Sequence, residues 1–321
     1  MRILALVPGG IGDQILFFPT LSDLKQTYPS AEIDVVVEPR AKSAYRVCPS
    51  VSSVIPFDFK SRNSPADWAN LLGIARDRYY DVVISLGRRW SIGLLLWLTG
   101  TPVRVGYQTS VGSWFLTNPV PLKSEQYAAC MYHDLLSGLG VDTPCPLPSI
   151  SVPKSDLDWA DAERSRLEVQ DSGYVLIHGG SSQLAKDKGI DKIYPVESWV
   201  AIIQDFQKRQ PDLPVVVVQG PEDGEFVARL KEAVDIKVTQ PGDIGKLSAM
   251  IAGANLMLCT DSAPMHLAVA LKVYTLALFG PTDPSLLLPQ DDKFVGIQSP
   301  SDRMADIAPE TILQQVWGEG S

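Results

Sequence analysis

The sequence of 321 residues is poor in the side chains that bind transition metals or form disulfides. Its four cysteines, Cys48, Cys130, Cys145 and Cys259, are far apart and contain no C-x-x-C pair. The three histidines also lack the close spacing of metal ligands. These absences argue against a zinc site and a disulfide framework, and they are typical of a reducing compartment. We therefore predict no bound metal and no cofactor.

Long apolar runs and an excess of positive charge are also missing. The longest apolar run, IGLLLWL at 92–98, is too short to span a bilayer, and the apolar start MRILALV is too short for a signal peptide. The net charge is −9, from 28 Lys and Arg against 37 Asp and Glu. An acidic chain is a poor general ligand for nucleic acid. We expect a cytoplasmic protein with no nucleic-acid partner and with peripheral, not integral, contact to the inner membrane.

Two series of alternating apolar strands and helices run along the chain. The segment 141–153 between them contains four prolines and is typical of an extended linker. Strand–helix alternation predicts an α/β protein with parallel sheets and helices on both faces. The domain boundaries follow as 1–153 and 154–321, each Rossmann-like. A last helix at 308–317 has no strand after it, and we expect it to pack back on the N-terminal domain.

The loops that follow strands should carry the functional residues, since α/β sheets bind ligands beyond the carboxyl ends of their strands. The first such loop is VPGGIGDQILFFP, 7–19, where glycines precede Asp13. A dinucleotide fingerprint would need a glycine where Ile15 stands, which disfavours a nicotinamide site. Asp13 then has two interpretations: a carboxylate that starts a helix, or a base at a ligand site that the glycines keep open. We place Gly10, Gly12 and Arg88 on the same side of the site as Asp13.

A second loop, HGGSSQLAKDKGIDKIYP at 178–195, combines a glycine–serine turn with three lysines. This composition suits a phosphate cradle, although a surface loop is the alternative. The candidate ligands there are Gly179, Ser181, Ser182 and one of Lys186, Lys188 and Lys192.

Two further loops of the second half have the composition of a nucleotide site. In QGPEDGE, 219–225, Glu222 and Asp223 are equal candidates to hold a ribose diol, and capping of the next helix is the alternative. In CTDSAPMHLAVAL, 259–271, a helix begins near Pro264. We expect the backbone N–H groups of its first turn to bind an anion. Those groups belong to Ser262, Ala263 and Met265.

The segment TDSAPMHLAVALKVYTLALFGPTDP, 260–284, resembles the signature of glycosyltransferase family 9, the ADP-heptose:lipopolysaccharide heptosyltransferase family. The stretches 9–29 and 179–199 are similar to two further motifs of that family, in the same order. The resemblance implies a GT-B fold, in which two Rossmann-like domains face a central cleft. It also implies an inverting, metal-independent glycosyltransferase that moves a sugar, heptose or a related one, from a nucleoside-diphosphate sugar. ADP-heptose is the donor that it favours, and the acceptor is a lipopolysaccharide-type or other glycan or glycolipid.

The resemblance also implies roles for individual residues. Asp13 becomes the general base, Lys192 meets the donor phosphates, and Glu222 and Asp261 line the nucleotide site. The N-terminal domain would bind the acceptor and the C-terminal domain the donor. The full donor-side set is Gly179, Ser181, Ser182, Lys192, Gly220, Glu222, Asp261, Ser262, Ala263, Met265 and His266. Ala263 stands where the family's motif has glycine.

Two alternatives stay open at this point. A nucleotide-sugar epimerase of the same fold would keep the diphosphate site but would need further acid and base groups besides Asp13. A non-catalytic module that binds sugar nucleotides would have no use for Asp13 as a base.

Overall fold

The computed structural model describes residues 1–59, 63–180 and 192–318. The chain divides into two compact units, Met1–Ser151 and Val152–Ser321. Within the described residues, each unit contains a six-stranded sheet whose strands all pair in parallel. The predicted α/β class with two parallel sheets is confirmed.

The first sheet has the order β3-β2-β1-β4-β5-β6. Its strands are β1 (Arg2–Val7), β2 (Glu32–Val37), β3 (Ser53–Pro56), β4 (Val82–Ser85), β5 (Val103–Tyr107) and β6 (Asn118–Val120). The central strand β1 reads RILALV and is buried from Ile3 onward. Such continuous apolar runs are expected where helices cover both faces of a sheet.

Helices and 3₁₀ segments connect these strands. They are α1 (Ile11–Thr27), α2 (Pro65–Asp77), α3 (Trp90–Leu98), α4 (Ala128–His133) and the 3₁₀ segments Pro39–Val47, Gly112–Phe115 and Asp134–Leu139. Because β1 pairs with both β2 and β4, the loops that follow these strands come together at one edge of the sheet.

The second sheet has the order β12-β11-β10-β7-β8-β9. Its strands are β7 (Val175–His178), β8 (Val215–Val218), β9 (Lys237–Thr239), β10 (Leu256–Thr260), β11 (Thr275–Phe279) and β12 (Phe294–Gln298). The four residues of β8 are all valine and all buried. The loops after β7, β8, β10 and β11 therefore meet at one edge, since these four strands are neighbours.

Seven helical segments accompany the second sheet in the part of the chain that the structure describes. They are α5 (Lys154–Arg166), α6 (Val196–Arg209), α7 (Gly224–Ala233), α8 (Ile244–Ala252), α9 (Ala263–Ala270), α10 (Pro284–Leu287) and α11 (Pro309–Trp317), besides the 3₁₀ segment Met304–Asp306. In none of the described helices is the apolar stretch long enough to cross a bilayer.

The C-terminal helix α11 packs on α6 of its own unit. Ile312 is fully buried in the core of the second unit, and the ring of Trp317 lies 4.9 Å from that of Phe206. The indole N–H of Trp317 donates to Asp205 on α6 at 2.9 Å. The apolar face of this helix completes the core of the second unit, and its predicted packing on the first domain stays a prediction.

Candidate functional site

Asp13 lies in the first turn of α1, directly after the glycine loop, and is half-buried. Its Oδ2 accepts a hydrogen bond from the backbone N–H of Gly10 at 2.7 Å. Its Oδ1 accepts a second hydrogen bond from the phenol of Tyr132 at 3.1 Å. Asp13 thus caps α1 through Oδ2, while Oδ1 is held by Tyr132, a residue distant in the sequence. The two interpretations of Asp13 are compatible, because capping uses only Oδ2.

Gly9 is the glycine that Asp13 requires. A Cβ built on Gly9 would lie 2.3 Å from Oδ2 of Asp13, far inside van der Waals contact. At Gly10 the same construction leaves 3.9 Å, which is ordinary contact. The absence of a side chain at Gly9 therefore leaves the space that the carboxylate of Asp13 occupies.

Gln14 holds the glycine loop from inside. Its side chain is fully buried, and its amide donates to the carbonyl of Val7 at 3.0 Å and to that of Gly10 at 3.3 Å. Its amide oxygen accepts from the phenol of Tyr45 at 2.7 Å. This bracing fixes the position from which α1 starts, and hence the position of Asp13.

Tyr132 is a site residue that the sequence does not reveal. It lies on α4, a helix of six residues, 119 positions away from Asp13. Its ring packs edge-on against that of Phe17 on α1. Burial, reinforced by the neighbouring charge of Asp13, raises the pKa of Tyr132 above its ordinary value. The phenol therefore stays protonated at neutral pH and donates to the carboxylate.

Arg88 lies close to Tyr132 and is exposed. It follows β4, and its guanidinium stands 5.8 Å from the ring centre of Tyr107. Its positive charge also lowers the pKa of Tyr132, although burial outweighs this effect. The first unit thus brings Asp13 and Arg88 to the same edge of the sheet, and both charges act on the phenol of Tyr132.

Lys192 and Asp261 form an ion pair in the second unit. Asp261 follows β10 and is 5% exposed, and its Oδ2 also accepts from the hydroxyl of Thr282 at 2.7 Å. Thr282 follows the neighbouring strand β11. Lys192 and Asp261, both implied by the family resemblance, are therefore in contact. Thr282 joins them; it lies within the 260–284 signature, although the resemblance assigns it no role.

Polar contacts join the loops after β7, β8 and β10. The hydroxyl of Thr260 donates to the carbonyl of Gly180 at 3.2 Å. The imidazole of His178 lies between Ser262, at 3.3 Å from Nδ1, and Asp223, at 3.6 Å from Nε2. His178 is 9% exposed, which suits a structural histidine that joins two loops.

Glu222 and Asp223, equal candidates in the sequence, occupy different environments. Asp223 is buried, and its Oδ2 accepts from the backbone N–H of Gly220 at 2.9 Å. Glu222 is exposed and lines a depression of about 190 Å³. That depression is formed by Gly179, Gly180, Ile193, Val196, Glu222, Asp223, Glu225, Phe226 and Arg229. Asp223 therefore shapes the loop, while Glu222 is the carboxylate that a ligand can reach.

The start of α9 departs from the prediction at one position. Ser262 precedes the helix and its side chain makes no capping hydrogen bond, so the first-turn N–H groups of Ser262 and Ala263 suit an anion. The N–H of Met265, however, donates to the carbonyl of Ser262 at 3.1 Å. The Met265 N–H is therefore not free, because the first turn closes on itself, and its role toward an anion stays a prediction. The side chains of Met265 and His266 are both buried.

Some predicted ligands cannot be placed. Ser181, Ser182, Lys186 and Lys188 lie outside the described residues. Among the residues whose placement is given, no group of three or more His, Cys, Asp and Glu is arranged to hold a metal ion.

Sequence comparison identifies the family. The model of glycosyltransferase family 9 (heptosyltransferase) matches residues 73–316, more than half of the chain. Lipopolysaccharide heptosyltransferase 3 of Escherichia coli is 28% identical over 85% of this chain and 81% of its own length. The chloroplastic photosynthetic NDH subunit of subcomplex B 1 of Arabidopsis thaliana is 24% identical over 100% of this chain and 74% of its own length.

Solved structures show the same fold. A glycosyl transferase of family 9 from Veillonella parvula superposes with a TM-score of 0.81 at 22% identity, covering 98% of this chain and 95% of that one. The E. coli heptosyltransferase WaaC with ADP-2-deoxy-2-fluoro heptose gives a TM-score of 0.77 at 21% identity over the whole of both chains. The predicted GT-B fold and the predicted family are confirmed, and the chain belongs to glycosyltransferase family 9, the heptosyltransferase family.

Proposed function

We propose that this glycosyltransferase is an inverting enzyme that acts in lipopolysaccharide-type glycan synthesis. It would move heptose or a related sugar from a nucleoside diphosphate to a hydroxyl of a glycan or glycolipid acceptor. The observation that carries this proposal is the carboxylate of Asp13, which is fixed through both oxygens at the edge of the first sheet. A base needs such a fixed orientation, because proton abstraction depends first on geometry.

The second unit is the proposed donor site. ADP-heptose is the favoured donor, since WaaC has been solved with a fluorinated ADP-heptose and shares the fold. Glu222 would hold the ribose diol in the depression after β8, next to Gly179 and Gly220. The diphosphate would lie at Lys192 and at the N–H groups of Ser262 and Ala263. An ammonium has three N–H donors, so Lys192 can bind phosphate and still keep Asp261.

The reaction would be a single displacement at the anomeric carbon. The acceptor oxygen forms the new bond to that carbon as its proton passes to Asp13. The bond from the anomeric carbon to the diphosphate oxygen breaks, and the leaving group takes the electron pair. Lys192 and the helix N–H groups would balance the charge that develops on the diphosphate, an arrangement that requires no metal ion. Arg88 would bind an anionic group of the acceptor near Asp13.

Replacing Asp13 tests the proposal. In single-turnover transfer with a panel of nucleotide sugars, Asp13→Asn should lower the rate by about 10²–10⁴-fold, the usual range for a general base. Donor affinity measured by calorimetry should stay nearly unchanged, because Asp13 belongs to the other unit. Asp67→Asn is the matched control, since Asp67 caps the first turn of α2 in the same way. Equal transfer rates for Asp13→Asn and Asp67→Asn would show that Asp13 only caps a helix.

A second candidate is a non-catalytic role, and the Arabidopsis relative favours it. That protein is named as a subunit of a larger complex, and it matches the full length of this chain. Wild-type protein that binds a nucleotide sugar but turns over none of the panel would support this alternative. The epimerase alternative is less favoured, because the family that matches is a family of transferases.

A glycolipid acceptor would lie in a membrane. For that reason we also propose peripheral contact with the cytoplasmic face of the inner membrane, without a spanning segment.

A further inference from the structure

Three tryptophans of the first unit project into solvent. The exposed fractions are 57% for Trp90, 52% for Trp97 and 85% for Trp114. Val111 beside them is 53% exposed. Exposed apolar side chains that occur singly are normal, but a group of large ones marks an interaction surface.

These side chains belong to one local structure, formed by α3 and the 3₁₀ segment Gly112–Phe115. Two glycines bring the segments together: a Cβ on Gly93 would lie only 2.8 Å from the carbonyl oxygen of Gly112. The rings of Trp97 and Phe115 are 6.3 Å apart across this contact. We call Trp90, Trp97, Val111 and Trp114 the tryptophan surface.

Helix α3 divides its residues between the core and this surface. Ile92, Leu95 and Leu96 are buried in the core of the first unit. Trp90 and Trp97 are seven positions apart, which places them two turns along the same side of the helix. Packing in the core therefore accounts for the aliphatic residues of α3, but it does not account for Trp90 and Trp97, which are exposed.

The sequence interval that contains the tryptophan surface carries charge of one sign. No Asp or Glu occurs between Asp81 and Glu125, in a chain whose net charge is −9. The charged residues of that interval are Arg88, Arg89, Arg104 and Lys123. Arg104 braces the 3₁₀ segment by donating to the carbonyl of Phe115 at 2.7 Å. Arg88 and Arg89 are exposed and come directly before Trp90.

We infer that the tryptophan surface, with Arg88 and Arg89, binds the interface of an anionic phospholipid bilayer. Indole rings prefer the headgroup level of a membrane, where their apolar body and polar N–H are both accommodated. Basic side chains beside them are attracted to anionic headgroups. The inference rests on the proposed membrane contact of this transferase and names the surface that makes it.

The same surface begins beside the candidate acceptor site. Arg88 and Arg89 line a hollow of the first unit together with Ile92 and Tyr107. Arg88 is also the cation near Tyr132, the partner of Asp13. Binding of the bilayer here would keep a lipid-anchored acceptor close to the carboxylate that activates its hydroxyl.

Vesicle flotation tests the inference with the intact protein. The probes are vesicles of phosphatidylcholine alone and of phosphatidylcholine with phosphatidylglycerol, at low and high salt. Wild-type protein should float with the anionic vesicles at low salt, and its vesicle affinity should fall by about tenfold or more at high salt or without the anionic lipid. Trp114→Gln together with Trp90→Gln should lower the affinity for anionic vesicles by about tenfold or more. Arg89→Gln should reduce the salt dependence.

The control is Tyr79→Asn, another exposed aromatic of the first unit. Tyr79 is 83% exposed and precedes β4, at the opposite edge of the sheet from Arg88. Its φ of 49° suits asparagine, so this variant should fold and bind vesicles like the wild type. Thermal melting confirms folding of each variant, and Trp114→Gln alone serves if the double variant unfolds.

Three outcomes would overturn the inference. One is that the wild-type protein does not float with anionic vesicles at low salt. Another is equal vesicle binding by the wild type and the tryptophan variants. The third is a concentration-dependent dimer that Trp114→Gln abolishes, with no vesicle binding, which would assign the surface to a second copy of the chain. Asp13→Asn should bind vesicles normally, so a failed transferase assay with intact vesicle binding would overturn the proposed function alone.

Discussion

The phenol of Tyr132 donates to Oδ1 of Asp13 at 3.1 Å, and this hydrogen bond joins α4 to the first turn of α1. A carboxylate oxygen has two lone pairs, so Oδ1 can accept from Tyr132 and still face an acceptor hydroxyl. Because burial raises the pKa of Tyr132, the phenol does not compete with Asp13 as a base at neutral pH. Tyr132 is therefore a positioning residue for Asp13.

Tyr132→Phe should slow transfer while leaving donor binding unchanged. A hydrogen bond to a charged group contributes about 1.5–3 kcal/mol, so kcat should fall by about 10–100-fold. The KM for the donor should stay the same, because the proposed donor site belongs to the other unit. Tyr107→Phe is the matched control: its phenol is also buried and donates to a backbone carbonyl, that of Met131 at 2.8 Å. Equal losses in both variants would show that Tyr132 acts through packing only.

Gly9→Ala should displace the carboxylate of Asp13. The new Cβ would fall 2.3 Å from Oδ2, so either the side chain or the start of α1 must move. A displacement of about 1 Å can cost about 100-fold in rate. Single-turnover transfer should therefore drop by that order, with calorimetric donor affinity retained. Gly10→Ala is the control, as its Cβ would have 3.9 Å of clearance, and a comparable loss there would contradict the steric explanation.

Lys192→Ala should weaken donor binding and slow transfer together. A lysine on the diphosphate acts in both the ground state and the transition state, and losing it should cost about 10–100-fold in donor affinity. Lys192→Arg should recover part of the affinity, since it keeps the charge and the pairing with Asp261. Lys186→Ala and Lys188→Ala are measured in parallel. If either weakens binding while Lys192→Ala does not, another lysine of this loop meets the phosphates.

Much of the fold could be predicted because the buried strands leave a strong pattern. Runs such as RILALV and VVVV are apolar throughout, and glycine turns or capping residues follow them. The short edge strands β6 and β9 lack this pattern. Asn118–Val120 and Lys237–Thr239 have three residues each, too few for a periodic signal, and their pairing comes from the sheet that they join.

The candidate site could be predicted only in its local parts. Asp13, Glu222 and Asp261 follow strands and belong to recognisable motifs. Tyr132 belongs to no motif, because it reaches Asp13 from a different segment of the chain. Thr282 lies within the 260–284 signature, but its contact with Asp261 depends on packing. The family resemblance favours Glu222 over Asp223, and the structure adds a physical reason, since Asp223 is buried and Glu222 is exposed.

The first unit should lose stability at alkaline pH. It contains five tyrosines for which burial raises the pKa above the ordinary value of about 10. They are Tyr45, Tyr80, Tyr107, Tyr127 and Tyr132. A group with a raised pKa in the folded state contributes stability that is fully present below its unfolded pKa. That contribution is lost as the pH rises from about 10 towards the folded value.

Tyr127→Phe isolates one of these tyrosines. Within the described structure, the buried phenol of Tyr127 has no hydrogen-bond partner, so its removal should not destabilise the protein at neutral pH. Above about pH 10, the free energy of unfolding of the variant should fall less steeply, by up to about 1.4 kcal/mol per pH unit. Urea unfolding of both proteins from about pH 8 to about pH 11 measures this, and the other titrating groups cancel in the difference. Parallel stability curves for the two proteins would show that Tyr127 ionises without unfolding the first unit.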